Sequence, residues 1–125
     1  MRVCNMESTI NIEDKLNEFN IIKYNTVICA KIEEINVKFL EGLKLLSNEG
    51  NVISYDYYEK IDELSDLARN HLNIQSKEDY KKAIACIELA NLLITRGIKD
   101  LDEEPLSSGY FNLKYNLNDL KIFSN

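Results

Sequence analysis

The amino-acid sequence predicts an all-α fold: a four-helix bundle-like single domain with an extended C-terminal segment. Three observations carry that reading. The chain has 125 residues, 45% of them hydrophobic and 29% charged. That length suits one compact domain, which hides roughly two thirds of the surface its unfolded form exposes and needs no metal or disulfide staple. Between positions 11 and 96, apolar residues recur at spacings of three and four, the period of a helix face. From Phe111 onward the period drops to two, which is the signature of extended backbone. With only four Gly and one Pro, collagen-like and wholly disordered classes are excluded.

Taken in order, residues 1–10 carry no sustained pattern and read as a loose N-terminal lead-in. The helical bundle domain is expected over 11–104. Its first helix, near 11–20, can be capped by Asn11 with Asp14 and places Ile12, Leu16 and Phe19 on one face. The second, near 26–48, carries Ile28, Ile32, Ile35, Phe39, Leu43 and Leu46. If both stripes lay on one continuous helix, they would point about 160° apart, so the chain is expected to bend or break between Asn20 and Asn25. Ile21, Ile22, Tyr24, Thr26 and Val27 have the extended-chain propensity to allow it. Gly50 suits the left-handed conformation beyond a helix end.

The third helix, near 55–73, is expected to start at Ser54, stapled by Ile53 and Tyr58, and to bury Tyr57, Ile61, Leu64, Ala68 and Leu72. The fourth, near 77–96, opens on a capping box of Ser76 with Asp79 and ends at Gly97. Between Ala83 and Ile94 only Glu88 and Asn91 are polar, and with Thr95 they form one narrow stripe. A helix apolar on nearly every side is either enclosed by neighbours or has a face left for a partner. Pro105 and Ser107-Ser108-Gly109 read as a linker after the acidic Asp100–Glu104 run. Over 105–125 the alternation of Phe111, Leu113, Tyr115 and Leu117 with polar residues gives the extended segment, packed on the bundle or on a partner.

Asp79-Tyr80-Lys81-Lys82-Ala83-Ile84, followed by Ile87 and Ala90, resembles the second helix of a tetratricopeptide hairpin. The resemblance covers about one repeat length with no second copy in the chain, and implies a helical hairpin rather than that family.

The net charge of −6 repels phosphate backbones and anionic lipid at long range, so neither nucleic acid nor a membrane is the expected partner. Three cysteines at 4, 29 and 86, with no paired spacing, fit neither a disulfide framework nor a zinc module and suit a reducing, cytoplasmic setting. There is no apolar signal region behind Arg2 and no membrane-length apolar span. Fifteen Asn in the chain mean that a single Asn carries no functional weight.

The densest polar group is Glu59, Asp62, Glu63 and Asp66, four carboxylates on one face of the third helix. Helical nucleotide pyrophosphatases spread comparable acids over two helices to hold magnesium. Here both pairs lie on one helix, opposite its apolar face, where solvent is expected. His71, the lone histidine, has no carboxylate three residues before it to complete a di-iron ligand pair, and no phosphate-loop or nucleophile-elbow motif occurs. The sequence therefore points to a non-enzymatic protein–protein interaction module, an adaptor, inhibitor or immunity-type antagonist, with no cofactor or metal. Its expected contact residues are Leu89, Leu92 and Leu93 on the fourth helix with Tyr55, Tyr110, Phe111 and Tyr115, tyrosine giving large contact area at small entropic cost. The partner is another protein or a second copy of the chain. The competing reading is a metal-dependent enzyme in which the carboxylates of the third helix meet His71 or Glu33 and Glu34.

Overall fold

A computed structural model describes the backbone of residues 2–50 and 56–124, and within it the side chains of residue 12 and of residues 15 onward. The described residues form four helices: α1 (Arg2–Asn48), α2 (Tyr57–Asn70), α3 (Lys77–Asp100) and α4 (Glu103–Asp119). The all-α, bundle-like architecture is the expected one, but the four helices are not the expected four.

The expected helices at 11–20 and 26–48 are a single helix, and the backbone of residues 2–10, expected as a loose lead-in, belongs to its first turns. Extended-chain propensity at 21–27 is overridden by tertiary contacts. Tyr24 stacks on Tyr80 at 4.6 Å between centroids. The Asn25 amide donates to the Ile74 carbonyl at 2.9 Å and its oxygen accepts from the Ile74 N–H at 2.8 Å. The Thr26 hydroxyl donates to the Ile22 carbonyl at 2.9 Å, which ties it into the helix. The opposition of the two stripes is thus resolved without a break in the helix: the second faces the core, and the first stays in solvent. Gly50, at φ 82°, closes the helix as expected, donating to the Ser47 carbonyl.

α2 begins at Tyr57, with the Asp56 side chain accepting from the Glu59 N–H at 3.4 Å. The expected cap Ser54, the staple residue Ile53, and Tyr55 lie outside the described residues. α3 starts as expected, with the Ser76 hydroxyl accepting from the Asp79 N–H at 3.1 Å. It does not stop at Gly97. It runs one turn further, and Leu101, at φ 51°, takes the left-handed cap position.

The largest correction falls on 105–125. Most of it is helix α4, capped by Asp102, with Pro105 in the first turn, where a missing N–H costs nothing. Its buried side is Leu106, Gly109, Tyr110, Leu113 and Leu117, a helical series. Leu113 and Leu117 belong to both a period of two and a period of four, which is why alternation misled. Extended backbone is confined to the last few residues: Leu72 bridges Phe123 in antiparallel sense, and the Asn73 and Ser124 N–H groups donate to Ile122 and His71 carbonyls at 2.6 Å.

Residue pairs fix the helix directions. Along α1, Asn25, Glu33, Asn36 and Phe39 meet Ile74, Arg69, Ser65 and Tyr57, so α2 runs antiparallel. Tyr24 meets Tyr80 and Lys38 meets Asn91, so α3 runs parallel to α1. α4 returns antiparallel along α3, Leu106 lying on Gly97 and Gly109 on Leu93 and Ala90. The core between them holds Ile28, Ile32, Phe39, Leu46, Leu64, Ile74, Ile94 and Leu117, all fully buried. At its centre Phe39 stacks on Tyr110 at 4.1 Å and 6°, with Tyr57 edge-on to Phe39 at 5.4 Å.

Candidate protein-interaction surfaces

Helix α3 buries Ala83, Ile87, Ala90, Ile94 and Gly97 along one stripe. Its period then turns Leu89 and Leu92 away from that stripe, where they are 50% and 68% exposed. Leu93 beside them is half-buried, with its Cβ against Gly109 of α4. The exposed Ala85, Glu88 and Arg96 border the two leucines, and Arg96 pairs with Asp100 at 3.8 Å. The over-apolar helix thus has a face left over. Its narrow polar stripe is used within the fold: Lys38 of α1 donates to Asn91 at 2.7 Å and to the Thr95 hydroxyl.

Of the described aromatic residues expected to form a contact surface, Phe111 and Tyr115 line one depression and Tyr110 does not reach the surface. Tyr110 is fully buried, a correction with a clear cause. In a helix it falls four residues after Leu106 and three before Leu113, facing inward. Its hydroxyl donates to the Asn36 side-chain oxygen at 2.7 Å and lies 3.3 Å from the Lys60 carbonyl oxygen. Asn36, itself buried, donates onward to Ser65 at 2.8 Å. Phe111 is half-buried beside Tyr57 at 5.7 Å. Tyr115 is 68% exposed and borders a depression of about 330 Å³ with Lys60, Phe111, Lys114 and Asn118, between α2 and α4. Tyr55 lies outside the described residues.

Sequence reasoning missed one apolar surface. Ile12, Leu16, Phe19 and Ile22 of α1, the first three expected as the face of a packed helix, are between 58% and 65% exposed. Nothing in the local sequence separates a stripe that packs from one that does not. The signal was the angle between the two stripes of α1, which on an unbroken helix leaves one of them outside.

Three of the six carboxylates weighed for metal chemistry, Glu63, Asp66 and Glu33, are engaged elsewhere. Glu63 binds Lys114, and Lys60 lies 3.7 Å away. The hydrogen bond and charge of Lys114 hold the Glu63 carboxyl below its ordinary range. Asp66 accepts from Asn70 at 2.7 Å, with His71 at 3.7 Å. Glu33 is held by Arg69 in a two-pronged pair at 3.0 and 3.1 Å. Among the described residues no group of three or more His, Cys, Asp or Glu is arranged to hold a metal ion. Cys86 is half-buried, and burial pushes its thiol up, away from the nucleophilic thiolate. No helix among the described residues is long and apolar enough to cross a membrane.

Comparison with protein-family models, with curated proteins and with solved structures returned no match.

Proposed function

We propose that this protein is a non-enzymatic binding module that acts on another protein, as an adaptor, an inhibitor or an immunity-type antagonist, with the outer face of α3 as its contact surface. The observation that carries this reading is the exposure of Leu89 and Leu92 on adjacent turns. Both stand on a helix whose other sides already pack against α1 and α4, so they add apolar surface beyond what these helices bury. Single exposed leucines are ordinary. Two neighbours, continuous with the half-buried Leu93 and ringed by Glu88 and Arg96, have the apolar centre and charged rim of a small protein-binding patch. Tyr115, beside its depression, supplies a second and smaller contact. The half-buried, unpaired thiols of Cys29 and Cys86 suit a reducing compartment such as the cytoplasm.

Cross-linking with mass spectrometry, using the wild type and a Leu89→Ser/Leu92→Ser variant as baits, tests the proposal. Both side chains are exposed, so the variant keeps its helical circular dichroism and thermal midpoint. The expected outcome is a partner recovered by the wild type and bound roughly tenfold or more weakly by the variant. Identical recovery by both baits refutes the α3 face as the contact surface.

A further inference from the structure

We infer that residues 2–22 of α1 form a pairing arm, which joins a second copy of the chain through an antiparallel helix pair. The arm is defined by where α1 meets the body. Tyr24 and Asn25 are anchored to Tyr80 and Ile74, whereas every described side chain from Ile12 to Asn20 is exposed. At 1.5 Å per residue, residues 2–20 add roughly 28 Å of helix ahead of these anchors. Ile12, Leu16, Phe19 and Ile22 line one side of it. That side points away from the core stripe of the same helix, so no movement within α1 turns it inward.

A helix of this kind needs a cover. In proteins most helical stability comes from packing an amphipathic face rather than from propensity. This one carries Asn5, Ser8, Thr9, Asn11, Asn17 and Asn20, all poor helix formers. Packing of its apolar face is the term that sustains it.

Area and charge together select a second copy as the cover. Each of the four side chains still presents on the order of 100 Å² of apolar surface, the amount whose burial accounts for roughly 2.5 kcal/mol. Two such stripes face to face bury about 800–1,000 Å² from these side chains alone. The alkyl stems of Lys15 and Lys23 and the neighbouring turns carry the contact past the ~1,000 Å² a stable interface needs. The whole chain has a net charge of −6, so two copies repel at long range and a contact between them is favoured where each side contributes little net charge. Residues 2–23 hold three basic side chains (Arg2, Lys15, Lys23) against four acidic ones (Glu7, Glu13, Asp14, Glu18), a net of −1. The remaining charge lies on the bodies.

Antiparallel pairing follows from the same charges. It sets Leu16 against the partner's Phe19 and Ile12 against the partner's Ile22, using all four side chains twice about a two-fold axis. Lys15 then lies near the partner's Asn20 and Glu18 near the partner's Asn17, and the acidic bodies stand at opposite ends. A parallel pair would set each charge against its own copy and bring the bodies together.

Light scattering on the full chain, over a range of concentrations, reads the outcome. The wild type is expected at twice the 14.5 kDa chain mass and a Leu16→Glu/Phe19→Glu variant at the single mass, with the same thermal midpoint at low concentration. Leu89→Ser/Leu92→Ser is expected to stay dimeric, so failure of this inference and failure of the α3 proposal are separate results. A wild type that is monomeric throughout, or a Leu16/Phe19 variant that remains dimeric, overturns the inference. So does an arm whose apolar stripe binds only a different protein. For direction, Ile12→Cys and Ile22→Cys chains, each free of native cysteines, are mixed and oxidised. The mixed disulfide is expected, and disulfides between identical chains alone overturn the antiparallel arrangement.

Discussion

Tyr110 shows how one residue can be assigned the wrong task when only its type is read. Its hydroxyl satisfies the buried Asn36 oxygen at 2.7 Å while its ring stacks on Phe39. Tyr110→Phe keeps the ring and removes the donor, leaving a buried amide oxygen short of a partner. The expected cost is about 1–3 kcal/mol, read from the urea midpoint at unchanged slope. Tyr110→Phe combined with Asn36→Leu should cost less than the sum of the two single changes, because both partners of one bond are gone. Alkaline stability gives an independent reading. Burial first, and then the charges of Asp62, Glu33 and Glu63, push the Tyr110 phenol far above its ordinary value of 10.0. A folded value raised above the unfolded one contributes stability that is whole below about pH 10 and is lost as pH rises beyond it. Wild type should therefore lose stability above about pH 10 more steeply than Tyr110→Phe, measured as denaturation midpoints on a pH series.

Glycine is the device that sets the spacing between helices, and here sequence punctuation reads differently from structure. Gly97 and Gly109 look like a helix stop and a linker, yet both are buried within helices. A Cβ on Gly97 would lie 2.7 Å from both the Cβ and the backbone nitrogen of Leu106, and one on Gly109 would lie 2.8 Å from the Leu93 Cβ. Gly97→Ala and Gly109→Ala each gain up to about 1 kcal/mol of helix propensity. Each is nonetheless expected to destabilise by about 1–3 kcal/mol, because α4 must shift on α3. A raised urea midpoint for either would show that the helices are not in this close contact. The same contact explains which parts of the fold were legible. Ser76 capping Asp79, the core series of α1 from Ile28 to Leu46, and the α2 face of Tyr57, Leu64 and Ala68 were all readable, because local rules and burial agree there. Helix α4 was not, because its glycine, serines and proline are loop-formers by propensity and become helical through what they pack against. Of the candidate surface, Leu89 and Leu92 were legible as surplus on an over-apolar helix, whereas the arm of α1 required knowing that the helix does not break.

At the scale of the whole molecule, the two ends of the chain make opposite contributions, and deletions separate them. Ending the chain after Glu104 removes Leu106, Tyr110, Leu113, Leu117 and Ile122, all essentially inaccessible to solvent. At roughly 1.5–3 kcal/mol each, their loss is on the order of 10 kcal/mol, comparable with the entire stability of a domain this size. That truncation is expected to unfold, with loss of helical circular dichroism. Deleting residues 1–20 removes described side chains that are all exposed, so the body should keep its unfolding free energy, read from urea melts, within about 0.5 kcal/mol under dilute conditions. The difference appears on concentration. A chain that pairs through its arm is stabilised by mass action, so the full-length thermal midpoint should climb with protein concentration. The deleted form, which keeps the core but lacks the apolar stripe, should melt at one temperature throughout. Melts of the two forms at matched low and high concentration therefore test directly whether the arm serves the fold of its own chain or the assembly of two.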